Sequence, residues 1–231
     1  MSPVADAFVR SAAPDYNYGA AGGLSVSGSA ALNRQGQQAG LLDTFMRFDM
    51  APLVAAMEAE FGVGGWAPTV ATLVLTEQGA PNNPVFNRGV GQFEIFWIPA
   101  DTWAEGIGTP RDTVTDGVCY SDEALLADPA ARVSLGVFSN LGADGELSFE
   151  LDLPDLFTAD VAAGSEVSFF LTAADDAVGF TFNSRDVGPP RLPPALQITG
   201  DAASGDVIPE PASMALLGMG LCLAALRRRR R

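Results

Sequence analysis

The sequence predicts an all-β fold, a β-sandwich or jelly roll with short loop helices, followed by a hydrophobic helix at the C-terminus. Three observations predict it. Many short segments alternate apolar and polar residues with a period of two, the mark of a half-buried strand. Gly, Pro, Asn and Asp clusters separate them, as in Gly79 to Pro84, Gly142 to Gly145 and Gly188 to Pro190. Apolar residues make up 48% of the 231-residue chain and charged residues 18%, so a packed core is available.

In chain order, Ala5 to Arg10 reads as the first strand and Leu24-Ser25-Val26 as a short second one. Phe45 to Asp49, Val70 to Leu75 and Phe93 to Ile98 are denser apolar runs, expected to be buried more completely. Val133, Leu135 and Val137 alternate with Ser134 and Gly136. Leu147, Phe149 and Leu151 alternate with Glu146, Ser148, Glu150 and Asp152. Val167, Phe169 and Leu171 share a face, and Phe180 with Phe182 and Leu196 with Ile198 make shorter runs. Around ten strands of this kind argue for a sandwich. Two helices interrupt them. Pro52 opens the first, Leu53, Met57 and Phe61 space its apolar face, and Gly62 ends it. Ser121 to Asp128 is the second, stopped by Pro129. Both are expected to cap the open ends of the sandwich. The domain is expected over 4–199, with a small, polar linker over 200–208 and a separate tail over 209–231.

Composition excludes much chemistry. Histidine and lysine are absent, and all 13 basic residues are arginine. No Ser-His or Cys-His nucleophile, His-ligated zinc, Schiff-base lysine or phosphate-loop lysine can be built. Residues 1–209 hold eight arginines against 27 acids, a net of −19. Such a body repels nucleic acid and anionic membrane. Cys119 lies in the body and Cys222 in the apolar tail, a poor disulfide pair. With no histidine to activate it, Cys119 reads as an inert buried thiol.

The tail has three parts: Pro209-Glu210-Pro211, an apolar run from Ala212 to Leu226, and the arginines Arg227, Arg228, Arg229, Arg230 and Arg231. As a helix the 15-residue run is about 22 Å long, short of the ~30 Å hydrocarbon core. Arginine snorkelling and local thinning can close the gap. The arginines serve as the membrane stop and keep the C-terminus cytoplasmic, with everything before Pro209 outside. Val207 to Ser213, then Leu216-Leu217-Gly218, an apolar stretch and terminal arginines, resemble the PEP-CTERM sorting signal of Gram-negative bacteria. The resemblance implies an exosortase as partner, a transient inner-membrane anchor as a transmembrane helix, cutting near the Pro-Glu-Pro motif, and delivery to the cell surface or extracellular matrix. Such a protein needs an N-terminal export signal. Met1 to Asp6 has no basic start and no apolar stretch, so the true start is expected upstream.

A second resemblance covers the body. Asp6 to Arg10, Pro14 to Gly19, Leu24 to Val26, Met46 to Asp49, Thr72 to Leu75, Trp103 to Gly106, Phe182 to Asp186 and Pro194 to Ile198 are similar, in order, to the motifs of the DNRLRE family. It implies a jelly-roll sandwich of the galactose-binding-like type in a secreted or surface protein, with some relatives acting as carbohydrate-binding modules. Residues 107–145 are longer and less regular than that pattern, and nothing is carried over there.

The candidate sites each have a plainer alternative. Asp6, Asp15 and Asn17 are candidate calcium ligands, since calcium takes six to eight oxygens from such groups. Alternatively Asp15 and Asn17 close an Asx-type turn and Tyr18 packs on the body, which the irregular ligand spacing favours. Trp66, in Gly64-Gly65-Trp66-Ala67-Pro68, is the tryptophan expected to be exposed, as a sugar-stacking platform or a loop anchor. Trp97 and Trp103 are expected to pack. Arg47 is expected to pair near Asp49, and Arg185 with an acid of the first strand. No two carboxylates stand out by spacing as a glycosidase pair.

Together these readings describe an exported, non-enzymatic protein of structural or adhesive use in exopolysaccharide or a biofilm matrix. The alternative is a carbohydrate-binding module, possible with calcium, and the third reading is a carboxylate-based glycoside hydrolase.

Overall fold

The computed structural model describes residues 1–77, 84–143 and 145–203. The linker from residue 204 onward, the Pro-Glu-Pro motif, the apolar helix expected over Ala212 to Leu226 and the arginine run lie outside the described residues.

Among the described residues ten strands carry the fold: β1 (Ala5–Arg10), β2 (Gly23–Ser27), β3 (Leu42–Asp49), β4 (Trp66–Glu77), β5 (Gly91–Ile98), β6 (Val133–Asn140), β7 (Gly145–Leu151), β8 (Glu166–Ala173), β9 (Gly179–Asn183) and β10 (Ala195–Ala202). Every pairing is antiparallel. They form one nearly closed, barrel-like sheet in the order β10-β4-β9-β2-β3-β8-β5-β6, with β1 on β3 and β7 on β4. Two junctions are a single residue pair wide, Glu77 with Phe182 and Ser27 with Leu42. They let the sheet turn around its core. β10 runs to Ala202, three residues into the stretch expected as linker, because Gly200, Asp201 and Ala202 still pair with Pro68, Ala67 and Trp66.

The inner face holds the main core. Phe93 touches Phe138, Phe149 and Phe180 with ring centroids 5.1 to 6.0 Å apart, and Phe8 stacks on Tyr18 at 4.5 Å. Helix α1 (Ala51–Phe61) starts as its sequence predicts. Pro52 sits in the first turn, Asp49 Oδ1 accepts the Ala51 N–H at 2.9 Å, and Gly62 ends the helix at φ +86°. The expected second helix is a 3-10 turn, Tyr120–Asp122, continued by the four-residue α2 (Glu123–Leu126). A third helix, α3 (Asp155–Ala163), was not expected. Pro154 precedes it, Phe157 and Val161 bury one side, and Gly164 at φ +73° stops it.

The strands β1, β3, β8 and β5 are buried on both faces. Ala7, Phe45, Phe170 and Phe96 line up across them on the outer face. Residues 99–132 cover this row, and Trp103, Val118 and Ala127 pack into it. The irregular region therefore forms a second layer on the sheet. Its presence explains why Phe45 to Asp49 and Phe93 to Ile98 lack alternation: neither face meets water. Arg47 points to the same side. It pairs with Glu166 at 3.1 Å, directly across from Asp49 in register, and donates to the Asp101 and Trp103 carbonyls.

Candidate functional site

The body's polar groups gather where the β1–β2 loop meets the 99–132 layer, and Asn17 is the junction. Its amide donates to the carbonyls of Glu105 (2.7 Å) and Val118 (2.8 Å). Its Oδ1 accepts the N–H groups of Gly19 and Gly108, each at 3.0 Å, and its own N–H donates to the Val114 carbonyl at 2.9 Å. The Gly19 contact closes an Asx turn. Two glycines permit the approach. A Cβ on Gly19 would stand 2.0 Å from the Glu105 carbonyl oxygen, and one on Gly106, at φ +78°, would stand 2.3 Å from Asn17 Oδ1.

The three residues proposed as calcium ligands have different environments. Asn17 is buried and its Oδ1 is engaged by two backbone donors. Asp15 is exposed, and its Oδ1 accepts the Ser121 hydroxyl at 2.7 Å. Asp6 is fully buried, and its Oδ2 accepts the Arg185 N–H at 2.7 Å. Among the described residues, no group of three His, Cys, Asp or Glu side chains is placed to hold a metal ion. Of the Asx-turn alternative, Asn17 closes such a turn and Tyr18 packs on Phe8, while Asp15 accepts the Ser121 hydroxyl instead.

Asp6 sits in a small charged knot. Its N–H donates to Glu105 Oε1 at 2.9 Å, and the same oxygen pairs with Arg185 Nε at 2.9 Å. Arg185 thus meets the first strand's acid through its backbone, and its guanidinium takes Glu105 instead. Asp6 Oδ1 has no partner among the described residues. Burial pushes the Asp6 carboxyl up to about 8; the Glu105 and Asp186 charges add to this, while the Arg185 N–H and guanidinium oppose it.

A second acid contact was not visible in the sequence. Asp43 of β3, 3% exposed, and Glu123 of α2 act on each other's carboxyl. Burial raises both carboxyls. The Glu123 charge raises Asp43 further, while the Thr172 hydrogen bond and Arg132 oppose this. Eighty residues separate the two in sequence, and only the outer-face cover brings them together.

Trp66 corrects the expectation of an exposed sugar platform. It is 6% exposed, opens β4, and packs over Gly200 of β10, where a Cβ would lie 2.6 Å from the indole. The flanking glycines suggested a loop; the strand begins at the tryptophan itself. Trp97 and Trp103 are buried as expected, donating to Asp160 at 2.9 Å and Ser168 at 3.1 Å. The exposed aromatic is Tyr16, 43% exposed, beside an open pocket of about 280 Å³ lined by Ala12, Ala13, Pro14, Asp15 and Tyr16. Cys119 is half-buried, not buried. Its thiol donates to Asp122 at 3.2 Å, and burial and that carboxylate push it up, away from thiolate.

Residues 207–231 match the PEP-CTERM protein-sorting motif, about a tenth of the chain. The motif implies export, a transient membrane anchor and processing by exosortase in the membrane. No curated protein matches the chain. Among the described residues no helix is long and apolar enough to cross a membrane.

Asn17→Asp separates the two readings of the turn. It keeps an acceptor, loses the donations to Glu105 and Val118, and buries a charge, so it is expected to destabilise by roughly 3 kcal/mol or more in chemical denaturation. Added calcium is expected to restore none of that loss; full recovery in calcium, but not in magnesium, would make the turn a metal site. Asp6 sets a pH dependence. Its folded value lies above the unfolded one, so the folded state holds the proton more tightly. Its stabilising contribution is complete below about 4 and is lost as pH rises toward about 8. Melting temperature followed from about pH 4 to 8.5 is expected to fall less steeply in Asp6→Asn than in the parent.

Proposed function

We propose that this chain is an exported protein whose body works outside the cell as a structural or adhesive element in surface or matrix polysaccharide. The sorting motif at 207–231 is the observation that carries the reading. Two further features support it. The body is strongly acidic and has no histidine or lysine, which suits a non-enzymatic role in the extracellular medium. The jelly-roll, DNRLRE-like character of the body is part of this reading and rests on the sequence motifs alone. A β-rich body released from a short tail gives a compact module that surface material can retain.

One observation favours a second reading, a carbohydrate-binding module. Asp15, oriented by Ser121, and the exposed Tyr16 ring stand side by side at a pocket of about 280 Å³. An aromatic face with an oriented carboxylate suits a sugar ring and its hydroxyls. In this reading Tyr16 takes the part expected of Trp66.

Deletion of Pro209 to Arg231, in an exosortase-bearing host and behind an export signal, is expected to turn a membrane-fraction precursor into freely secreted protein. A deletion variant that still fractionates with membranes like the parent would contradict the sorting reading. For the second reading, retardation in gels containing a neutral polysaccharide is expected to disappear in Tyr16→Ala. Equal mobility of parent and variant across such gels would remove it.

A further inference from the structure

Two pockets flank the 3-10 turn Tyr120–Asp122. The first is the Tyr16 pocket of about 280 Å³. Ser121 ties its loop to the turn. The Ser121 N–H donates to the Pro14 carbonyl at 3.0 Å, and its hydroxyl donates to Asp15 Oδ1 at 2.7 Å. The second pocket starts at the next residue. It holds about 290 Å³, and Trp103, Val118, Leu125 and Leu126 line it together with Asp122. Leu125 stands 81% exposed beside it. Arg47 lies over the Trp103 ring, 5.0 Å from its centroid, and the indole N–H goes to Ser168. Trp103 is therefore the floor, and Leu125 is the open apolar wall.

Both pockets pair an open apolar surface with a carboxylate that the protein already holds in place. In the first these are Tyr16 and Asp15. In the second they are Leu125 and Asp122, whose Oδ2 accepts the Cys119 N–H at 3.1 Å and the Cys119 thiol at 3.2 Å. A side chain oriented in advance loses less freedom when a ligand arrives. Ser121 and Asp122 are consecutive, about 3.8 Å apart at Cα, so one short oligomer can reach both carboxylates. Charge decides what kind of oligomer. Among the described residues no arginine lines either pocket, and 99–132 holds seven acids against two arginines. Such a surface opposes a chain bearing uronic acids or phosphates and suits a cationic one.

We propose that the two pockets are neighbouring subsites for a polysaccharide with free amino groups, a hexosamine polymer. One sugar face rests on Tyr16 and another on Leu125, and their ammonium groups donate to Asp15 and Asp122. This rests on the carbohydrate-binding reading above and narrows its ligand. A charge-assisted hydrogen bond in each pocket adds to what stacking supplies. Because the units are linked, occupation of one pocket raises the effective concentration of sugar at the other.

Calorimetric titration of the full-length chain with tetramers of glucosamine, N-acetylglucosamine and glucose tests this. The glucosamine tetramer is expected to bind at least about tenfold tighter than the other two. Asp122→Asn is expected to lower its affinity about tenfold. Leu125→Arg, at an exposed position that the fold does not need, is expected to do the same should Asp122→Asn loosen the turn. Glu150→Gln, on the exposed side of β7, is expected to change nothing. Equal affinity for the three tetramers, with gel retardation still lost in Tyr16→Ala, would overturn this inference and leave the carbohydrate-binding reading standing. Absence of both retardation and binding would remove both. A loss in Glu150→Gln as large as in Asp122→Asn, or equal competition by a lysine oligomer of the same charge, would reduce the effect to diffuse attraction and overturn it as well.

Discussion

The constraint on which the structure depends is that one part of its sheet has no solvent face. β1, β3, β8 and β5 carry apolar side chains on both sides, and the row Ala7, Phe45, Phe170 and Phe96 must be removed from water. Each large side chain left exposed would forfeit about 1.5–3 kcal/mol. A two-layer fold without a cover would leave this row bare. Residues 99–132 supply the cover, and most of the unusual polar contacts of the protein follow from fastening that irregular segment to a hydrophobic surface. Its backbone has no ladder to join, so side chains such as Asn17 and Arg47 satisfy its carbonyls.

Burial also raises a set of carboxyls. Asp6, Asp43, Asp101, Glu105, Glu123 and Asp160 are all pushed up, with burial the first cause each time. Asp6 and Asp43 lie on the covered strands, and Glu105 and Glu123 belong to the cover. A chain with so many acids and so few arginines places acids against acids when it folds one layer over another. The result is a body whose folded state retains protons that its unfolded state releases, which biases it toward acidic to neutral media.

Local pattern made most strands legible. The period-two runs ending at Leu151 and Leu171 were found because a single buried face imposes alternation on neighbouring residues. The two-sided strands showed as dense apolar runs, but what covered their second face was not legible, because 99–132 carries no periodicity. α3 leaves little trace in the sequence because its apolar side rests on two residues, Phe157 and Val161, set between two strands. The Asx turn of Asn17 was legible from its neighbours, whereas its partners Glu105 and Val118, 88 and 101 residues away, were not. The burial of Trp66 is hidden in the sequence for the same reason. Its glycines are adjacent in sequence, while the space for its ring is created by Gly200 on a strand near the far end of the body.

Address and fold thus come from different parts of the chain. The last residues carry the PEP-CTERM sorting motif, and the described residues before them form a sheet with its own cover. The central claim is that the tail is a processed address and the body is what reaches the outside. The most direct measurement is the intact mass of the protein recovered outside an exosortase-bearing host. The account predicts a body that ends near Pro209-Glu210-Pro211, without the apolar run or the arginines. Recovery of the exported protein with Arg227 to Arg231 still attached would contradict it.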